Sequence, residues 1–513
     1  MHKEKMTVLQ VGLVTWEDKI EPFNNILNWV FSDNIETIIQ EDDLESPKTF
    51  DVILLTSDVD NITLQDYQQL LNRTEPYAII FDAKIETSNP DLATYLKSKY
   101  AQSIDMTNQD SVIYDLTKYF FKGQYGDKLK ISDLQVSPNF SGSVQYLGNI
   151  GLELSADFGQ NFQPVVSWRY NIMGSAEFNQ EIWLEYQADS SIQTQLCVYL
   201  IQGGTSNIIN QWVTDESSSR KPIVIETHDD SEYYLAVSLK AKGQGELTVG
   251  NIHSRRSRKD YGQLILGGQR HVDECNQEIF SYFHPGNMKP PLNVYFSGYR
   301  TAEGFEGFWM MKKLGHPFLL ISDPRLEGGS FYLGSKQLED SIINVIHEKL
   351  DELGYTTNQL IMSGLSMGTF GALYYGSQIQ PRAIIVGKPL VNLGNIARNE
   401  KIVRPGLFGT SLDLLLSMTG GTTQEHVNQL NQRFWHIFNQ ADFDNTLFAI
   451  AYMKNDDYDQ TAYTDILDEL STSRAVVIGK GINGRHNDDS FAVNQWFISQ
   501  FQRILTQFFD GGN

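Results

Sequence analysis

Ser366 lies in a sequence context that is typical of a catalytic nucleophile. The segment GLSMG at 364–368 matches the G-x-S-x-G pattern of a nucleophile elbow. Such an elbow is a strained turn between a strand and a helix, and its glycines remove side chains that would collide with neighbouring elements. An apolar strand-like segment precedes the serine here, and a helix that opens with small residues, GAL at 371–373, follows it. This setting predicts that Ser366 is raised above a sheet for attack on an acyl group.

A carboxylate and a histidine follow Ser366 in the chain order that such a nucleophile requires. Asp456 comes after the predicted strand Leu447–Tyr452, and His486 lies in the glycine-rich loop GINGRHNDD before the last predicted helix. We expect His486 to take the proton of Ser366. We expect the acid to hold the imidazole in the right tautomer and to stabilise its positive form.

Several aspartates compete for the role of the triad acid. Asp456 is the preferred residue because it comes soonest after the end of the strand. Asp457 is its nearest alternative, and Asp459 is a more distant one. The two aspartates at 488–489 lie too close to the histidine in sequence to fit the expected order, so we predict that they cap the helix that follows.

Backbone N–H groups are expected to stabilise the negative oxygen that forms during acyl transfer. One donor is Met367, directly after the nucleophile, and the other is Gly298 or Tyr299 in the loop Ser297–Arg300. The sequence shows no metal-ligand cluster with credible spacing and no recognisable coenzyme A motif. We therefore predict no metal and no cofactor.

Strand-like and helix-like segments alternate after residue 285 and predict a sheet with helices on both faces. With the elbow and the acid-histidine order, this layout indicates an α/β-hydrolase domain over 260–513. Residues 389–445 are expected to form a cap over the site, where Trp435 and His436 either contact substrate or pack. The predicted strands are Leu292–Phe296, Phe318–Ser322, Leu360–Met362, Ala383–Val386, Leu447–Tyr452 and Ala475–Gly479. The predicted helices are Glu303–Leu314, Leu338–Leu353, Met367–Ser377, Thr461–Glu469 and Asp489–Phe509.

Residues 1–125 also alternate between strand-like and helix-like segments and predict a small α/β domain with a mostly parallel sheet. No glycine-rich phosphate loop follows the first strand, so we interpret this domain as structural or partner-binding. Its predicted strands are Thr7–Val14, Asp51–Thr56 and Tyr77–Phe81, and its predicted helices are Pro22–Phe31, Thr63–Leu71 and Pro90–Tyr100.

Residues 128–255 contain short alternating segments without helices between them, which predicts an antiparallel β-sandwich of jelly-roll type. Clusters of Gly, Ser, Asn and Asp separate the segments. Aromatic residues in this stretch either stack on sugar rings, which would make the domain carbohydrate-binding, or fill the core. They are Trp168, Tyr170, Trp183, Tyr186 and Trp212.

Composition narrows the classes of partner. The 513 residues are 41% apolar and 20% charged, which is typical of a globular chain, and 63 acids against 40 bases give a net charge of −23. So acidic a protein repels nucleic acid and anionic lipid. We expect no transmembrane segment and no signal peptide. Two cysteines fit a reducing compartment, so we predict a cytoplasmic protein.

The run SRRSRK at 254–259 is the only dense basic segment of the chain. It falls where the alternating pattern stops. We interpret it as an interdomain linker, with a docking strip for an acidic partner as the alternative.

The three-part layout, the elbow GLSMGTFGALYYG and the loop GINGRHNDD resemble the second accessory secretory protein family of the streptococcal and staphylococcal accessory Sec system. The resemblance covers essentially the whole chain, and its specific motifs lie in the hydrolase half. It implies a role in the export of serine-rich repeat adhesins, which are O-glycosylated before export. It also implies O-acetylation of N-acetylglucosamine on that cargo, with Ser366, Asp456 and His486 as the triad.

The same resemblance implies partners and a location. The partners are two other accessory secretory proteins, the motor ATPase of the system and the glycoprotein cargo, and the location is the cytoplasm, with association to the membrane through the translocon. The acetyl donor stays unknown. Two other functions stay open, a non-catalytic export scaffold and a small-molecule carboxylesterase, and a fluorophosphonate probe would label only a protein with an active serine.

Overall fold

The computed structural model describes residues 5–33, 48–57, 70, 73–85, 90–174, 176–214, 221–226 and 232–509. The chain forms two compact units. The first consists of Met1–Gln124, Glu177–Asn179 and Arg256–Gln269, and the second of Tyr125–Ala176, Gln180–Arg255 and Arg270–Asn513. The division into domains over 1–125, 128–255 and 260–513 stays a prediction.

The first unit contains a five-stranded sheet in the order β2-β1-β3-β4-β5, and every strand pair in it is parallel. Apolar side chains from both faces are buried, as a parallel sheet covered on both sides requires. Its elements are β1 (Met6–Val11), α1 (Glu17–Ile20), β2 (Leu27–Ser32), β3 (Val52–Leu55), β4 (Ile79–Asp82), α2 (Pro90–Ser98), β5 (Gln102–Ile104), α3 (Gln109–Tyr119) and the short pair β16 (Gly262–Gln263) and β17 (Ile265–Leu266).

The predicted helix Pro22–Phe31 is wrong. A single 3₁₀ turn covers Glu21–Phe23, and strand β2 then pairs with β1 from Leu27 to Ser32. The strand contains Trp-Val-Phe in succession, and aromatic and β-branched residues favour a pleated strand over a helix. The predicted helix Thr63–Leu71 lies, apart from Leu70, outside the described residues.

In the stretch for which a jelly-roll β-sandwich is predicted, the second unit contains ten strands that are connected in one sheet. The sandwich stays a prediction. The long strands β9 and β15 pair with each other, and their register shifts near Gly159 and Gly243, which have φ values of +82° and +103°. Glycine tolerates these values, so both strands can bend there over one shared core. The strands are β6 (Gly126–Leu129), β7 (Leu134–Val136), β8 (Ser143–Tyr146), β9 (Leu152–Trp168), β10 (Ile172–Met173), β11 (Gln180–Ala188), β12 (Gln193–Gln202), β13 (Ile208–Val213), β14 (Ile223–Ile225) and β15 (Tyr233–Arg256).

Most aromatic residues of this sheet fill its interior. Trp168 and Trp183 are buried, and Tyr186 and Trp212 pack against the buried cluster. Only Tyr170, at 57% exposure, faces solvent among the five predicted candidates. The packing interpretation therefore holds for four of the five.

An eight-stranded sheet completes the second unit in the order β18-β19-β21-β20-β22-β23-β24-β25. Strand β19 pairs antiparallel with β21, and the pairs from β21 through β25 are parallel. The elements are β18 (Gln269–Val272), β19 (Glu278–His284), β20 (Leu292–Phe296), α4 (Phe308–Leu314), β21 (Phe318–Ser322), α5 (Lys336–Leu353), β22 (Leu360–Leu365), α6 (Met367–Ile379), β23 (Ala383–Gly387), α7 (Leu393–Ile402), α8 (Thr410–Thr419), α9 (Gln424–Phe438), β24 (Leu447–Met453), α10 (Ala462–Leu470), β25 (Val476–Ile482) and α11 (Ser490–Phe508).

The predicted helix Glu303–Leu314 begins too early. Helix α4 starts at Phe308 because Gly304 and Gly307 have φ values of +149° and +83°, which an α-helix does not accommodate. In the described part of the chain we find no helix whose length and apolar character would suit a bilayer crossing.

The chain passes from one compact unit to the other within the basic run at 254–259, after Arg255. This agrees with the interpretation as an interdomain linker, but much of the run is buried. Arg255 is buried and pairs with Glu278 and Glu303. Arg258 donates hydrogen bonds to three backbone carbonyls, those of residues 119, 121 and 123, over 2.8–3.0 Å. Burial of these guanidinium groups shows that the run serves the interior of the protein.

Candidate active site

Ser366 lies at the turn between β22 and α6, with φ 52° and ψ −120°. A β-carbon on Gly364 would come within 2.2 Å of the Gly368 carbonyl oxygen, and one on Gly368 within 2.1 Å of the Phe296 carbonyl oxygen. The two glycines are therefore required for the turn. The strained backbone of the serine is the geometry that a nucleophile elbow imposes.

The structure brings Ser366, His486 and Asp456 into one chain of hydrogen bonds. The Ser366 Oγ lies 2.8 Å from His486 Nε2, and His486 Nδ1 lies 2.8 Å from Asp456 Oδ2. With the proton on Nδ1, the ring donates to the carboxylate and accepts from the serine hydroxyl. The His486 side chain is 0% exposed, which protects this contact from water.

The three candidate aspartates have separate roles in the structure. Asp456 binds the imidazole through Oδ2, and its Oδ1 accepts the backbone N–H of Tyr458 at 2.8 Å. Asp457 Oδ1 instead accepts the backbone N–H of His486 at 3.0 Å. Asp459 accepts the N–H groups of two cap residues at 391–392, and burial raises its pKa although those N–H groups oppose the shift.

Tyr458 is a site residue that the sequence did not reveal. Its ring stacks on the His486 imidazole, with centroids 4.4 Å apart and planes inclined by 5°. The Arg404 guanidinium lies 3.8 Å from the centroid of the Tyr458 ring. This stack fixes the plane of the His486 ring. The only indication in the sequence that Tyr458 lies at the site was its position two residues after Asp456.

One predicted oxyanion donor is already engaged. The Gly298 N–H donates to Glu306 Oε2 at 2.7 Å, so it does not point to an acyl oxygen in this arrangement. Met367 is the first residue of α6, where the N–H has no acceptor within its own helix. Met367 and Tyr299 stay the predicted donors. The contact between Glu306 and the Gly298 N–H was not predictable from the sequence, because it depends on how the loop after β20 folds back on itself.

A cavity of about 390 Å³ opens at the nucleophile. Ser366, Tyr299 and Tyr458 line it from the sheet side, and Leu390 and the segment 406–409 line it from the predicted cap. Predicted cap residues Trp435 and His436 line a different cavity on α9. The Trp435 indole donates to Asn392 Oδ1 at 2.8 Å, which favours the packing interpretation for it.

Glu327 is a second site residue that had no sequence signal. It lines the cavity at Ser366 together with Tyr299. Burial and the neighbouring Glu327 carboxylate raise the pKa of Tyr299 to about 12. The Tyr299 hydroxyl therefore stays neutral across the physiological pH range, with its proton donated to the Glu327 carboxylate.

The strand order and the site together define an α/β-hydrolase fold. In chain order, the nucleophile follows the fifth strand of the sheet, β22. The acid follows the seventh strand, β24, and the histidine follows the eighth, β25. In the described residues we find no cluster of His, Cys, Asp and Glu that could hold a metal ion.

Comparison with known proteins identifies the family. The family described as "Accessory Sec system GspB-transporter" matches residues 6–511, and the chain belongs to it. It is 42% identical to an accessory Sec system protein of Streptococcus gordonii over 99% of both chains. It is 43% identical to one of Staphylococcus aureus over 98% of this chain and 97% of the relative.

A solved structure gives the same result at the level of the fold. The chain superimposes on a protein in the Glycosylation Associate Protein (Gap123) complex from Streptococcus agalactiae with a TM-score of 0.90 and 41% identity. The match covers 98% of each chain. The predicted membership of the accessory Sec system is confirmed.

Proposed function

We propose that this protein is an O-acetyltransferase that modifies N-acetylglucosamine on the serine-rich repeat glycoprotein exported by the accessory Sec system. The observation that supports the proposal most directly is the hydrogen-bonded chain of Ser366, His486 and Asp456 at a cavity. An α/β-hydrolase fold with this arrangement is built for acyl transfer.

The first half-reaction acetylates the enzyme. Ser366 Oγ attacks the carbonyl carbon of an activated acetyl ester or thioester, and His486 Nε2 takes the hydroxyl proton. The N–H groups of Met367 and Tyr299 stabilise the oxyanion. The C–O or C–S bond to the leaving group then breaks, the leaving group takes the proton from His486, and the acetyl group stays on Ser366.

The second half-reaction transfers the acetyl group to sugar. A sugar hydroxyl gives its proton to His486 and attacks the acetyl-serine carbonyl. The bond to Ser366 Oγ breaks, and the serine recovers its proton from the imidazole. Transfer exceeds hydrolysis when water is kept out, and three apolar residues, Leu390, Leu407 and Phe408, line the cavity with the serine.

The proposed acetylation belongs to a wider role in export. We propose that the protein acts in the cytoplasm with two other accessory secretory proteins, the motor ATPase and the glycoprotein cargo, and reaches the membrane through the translocon. These contacts are expected on surfaces away from the catalytic cavity. The loss of Ser366 should therefore remove acetyl groups while the protein still supports export.

The test is a cellular replacement of the protein by Ser366→Ala, with secreted cargo measured by glycan mass spectrometry. We expect cargo that is exported but lacks acetyl groups, and assembly with partner proteins that is retained. Ser341→Ala is the matched control, because the Ser341 hydroxyl bonds only the Leu338 carbonyl of its own helix. If cells with Ser366→Ala still secrete acetylated cargo, the proposed activity is refuted and a non-catalytic scaffold function remains. If a fluorophosphonate labels Ser366 in the wild-type protein but Ser366→Ala leaves the cargo glycans unchanged, the protein is a small-molecule esterase.

A further inference from the structure

We infer that a second cavity beside the catalytic one is a subsite for the adjoining saccharide unit of the acceptor glycan. This inference rests on the proposed acetyl transfer to sugar. The cavity measures about 320 Å³, within the range of ligand sites. If the inference is right, only an acceptor with at least two sugar units can occupy both cavities.

The two cavities are neighbours in the fold. Glu327 lines both of them. Tyr299 lines the catalytic cavity and Thr301, two residues further along the same loop, lines the second. An acceptor bound at Ser366 can therefore extend past Glu327 into the second cavity.

The backbone around Glu327, the residue that lines both cavities, is held in place by the half-buried Lys128. Lys128 Nζ donates to the carbonyls of Pro324, Leu326 and Glu327 at 2.6, 2.8 and 3.1 Å. All three ammonium donors are thereby used, and burial lowers the pKa of Lys128. The loop that carries Glu327 is thus preorganised, which reduces the entropic cost of binding a sugar there.

Asn149, another residue in the lining of the second cavity, is held by a residue of the predicted cap. Asp413 on α8 accepts the backbone N–H of Asn149 at 3.1 Å and its side-chain amide at 2.7 Å. Asp413 uses the backbone N–H of Asn149 and one hydrogen of its amide, so the amide oxygen and the second amide hydrogen can meet a ligand. Hydrogen bonds thus hold two parts of the cavity lining, the backbone near Glu327 and the residue Asn149.

Polar groups of both hydrogen-bonding types face the second cavity. Asp127 and Glu327 supply carboxylate acceptors, Lys130 supplies an ammonium donor, and Asn251, at 3% exposure, supplies an amide. Lys130 Nζ lies 3.8 Å from Glu327 Oε1, a partly exposed pair that contributes little by itself. A sugar hydroxyl, which both donates and accepts, can bridge these two charges. The residues lining the cavity include no aromatic side chain, so hydrogen bonding rather than stacking would select the ligand.

Binding of sugars to the full chain tests the subsite independently of turnover. The probes are methyl N-acetylglucosaminide, N,N′-diacetylchitobiose, a glucose–N-acetylglucosamine disaccharide and a glycopeptide with one sugar, measured by calorimetry on Ser366→Ala. A few added hydrogen bonds predict about tenfold tighter binding of a disaccharide than of the monosaccharide. Lys130→Ala should abolish that preference and leave the monosaccharide affinity unchanged. Lys336→Ala, which removes an exposed lysine paired with Asp340, is the charge-matched control and should retain it.

Each outcome separates the subsite from the proposed function. Equal binding of all the sugars, or an undiminished preference in Lys130→Ala, would overturn the subsite. A preference for the single-sugar glycopeptide that depends on Lys130 would also overturn it, because peptide would then occupy the cavity. A preference for the disaccharide that Lys130→Ala removes would support the subsite. This holds even if the wild-type protein acetylates no sugar, because that second result would refute only the proposed function.

Discussion

The orientation of His486 is set by several contacts rather than by the triad alone. The ring is hydrogen-bonded at both nitrogens and stacked on Tyr458, and the Asp457 carboxylate fixes its backbone N–H. In the proposed half-reactions, a base held at so many points would keep its geometry while it first accepts and then returns a proton.

Ser366→Ala and His486→Ala should each reduce acetyl transfer by on the order of 10⁴-fold or more, because nucleophile and base act as one unit. The double substitution should be little worse than either single one. Steady-state rates with a glycopeptide acceptor check this. Effects that multiply in the double variant would show that the two residues act independently.

Asp456→Asn should lower the rate by on the order of 10⁴-fold, because the amide favours the wrong imidazole tautomer. Asp457→Asn is the matched control in the adjacent position. Its amide oxygen can still accept the His486 N–H, so the rate should change only a few-fold. A larger loss from Asp457→Asn than from Asp456→Asn would assign the acid to the neighbouring residue.

The approach of Ser366, His486 and Asp456 to one another was predictable from sequence because each residue follows a recognisable apolar strand. Tyr458, Glu327 and the engagement of Gly298 by Glu306 were not, since they depend on how loops fold over the sheet edge. Loop geometry is set by long-range contacts that local residue types do not encode.

At the scale of elements, the elbow depends on close packing of backbone against backbone. Helix α6 is buried along almost its whole length, and its first turn approaches the end of β20 at Gly368. No side chain fits between them. The position of Ser366 is therefore a property of the β22–α6 unit rather than of the serine itself.

Gly368→Ala should lower the free energy of unfolding by about 1–3 kcal/mol, because its methyl group would meet the Phe296 carbonyl oxygen. Gly409→Ala is the control: its φ is −55° and a β-carbon there meets nothing within 4 Å, so its effect should stay within about 0.5 kcal/mol. Thermal unfolding measures both. A Gly368→Ala protein as stable as Gly409→Ala would contradict the close approach.

The same scale shows where prediction of elements succeeded. Buried parallel strands such as β20, β21 and β24 are short apolar runs, so their bounds agree with the sequence. Strand β2 was missed because its Trp-Val-Phe run falls within the predicted helix Pro22–Phe31, whereas pairing with β1 decides its conformation.

At the scale of the second unit, a buried network of charges joins the ten-stranded sheet to the eight-stranded sheet that carries Ser366. His253 and Arg255 lie on β15, and they bind Glu185, Glu278 and Glu303. Glu303 follows the loop that carries the predicted oxyanion donor. Buried charges are tolerated only when paired, so the network fixes the position of that loop.

The network predicts a loss of stability at alkaline pH. Burial alone would lower the pKa of His253, but the Glu303 and Glu185 carboxylates outweigh it and raise the pKa from 6.5 to about 9. The stabilisation of roughly 3 kcal/mol is therefore fully present below pH 6.5 and is lost as pH rises through about 9. Thermal unfolding between pH 6 and 10 checks this.

His253→Gln should be less stable at neutral pH and should show a flatter alkaline profile than the wild type. His347→Gln alters an exposed histidine and should keep the wild-type profile. An unchanged alkaline slope in His253→Gln would show that another group causes it.

The most direct test of the proposed activity is acetyl transfer by the purified full-length chain. The protein is mixed with an activated acetyl ester and a cargo glycopeptide bearing N-acetylglucosamine, and the products are read by mass spectrometry. We predict an acetyl ester on the sugar with the wild-type protein and none with Ser366→Ala. The proposal would be contradicted if Ser366→Ala produced acetylated sugar. It would also be contradicted if the wild-type protein produced none although a fluorophosphonate labels its serine.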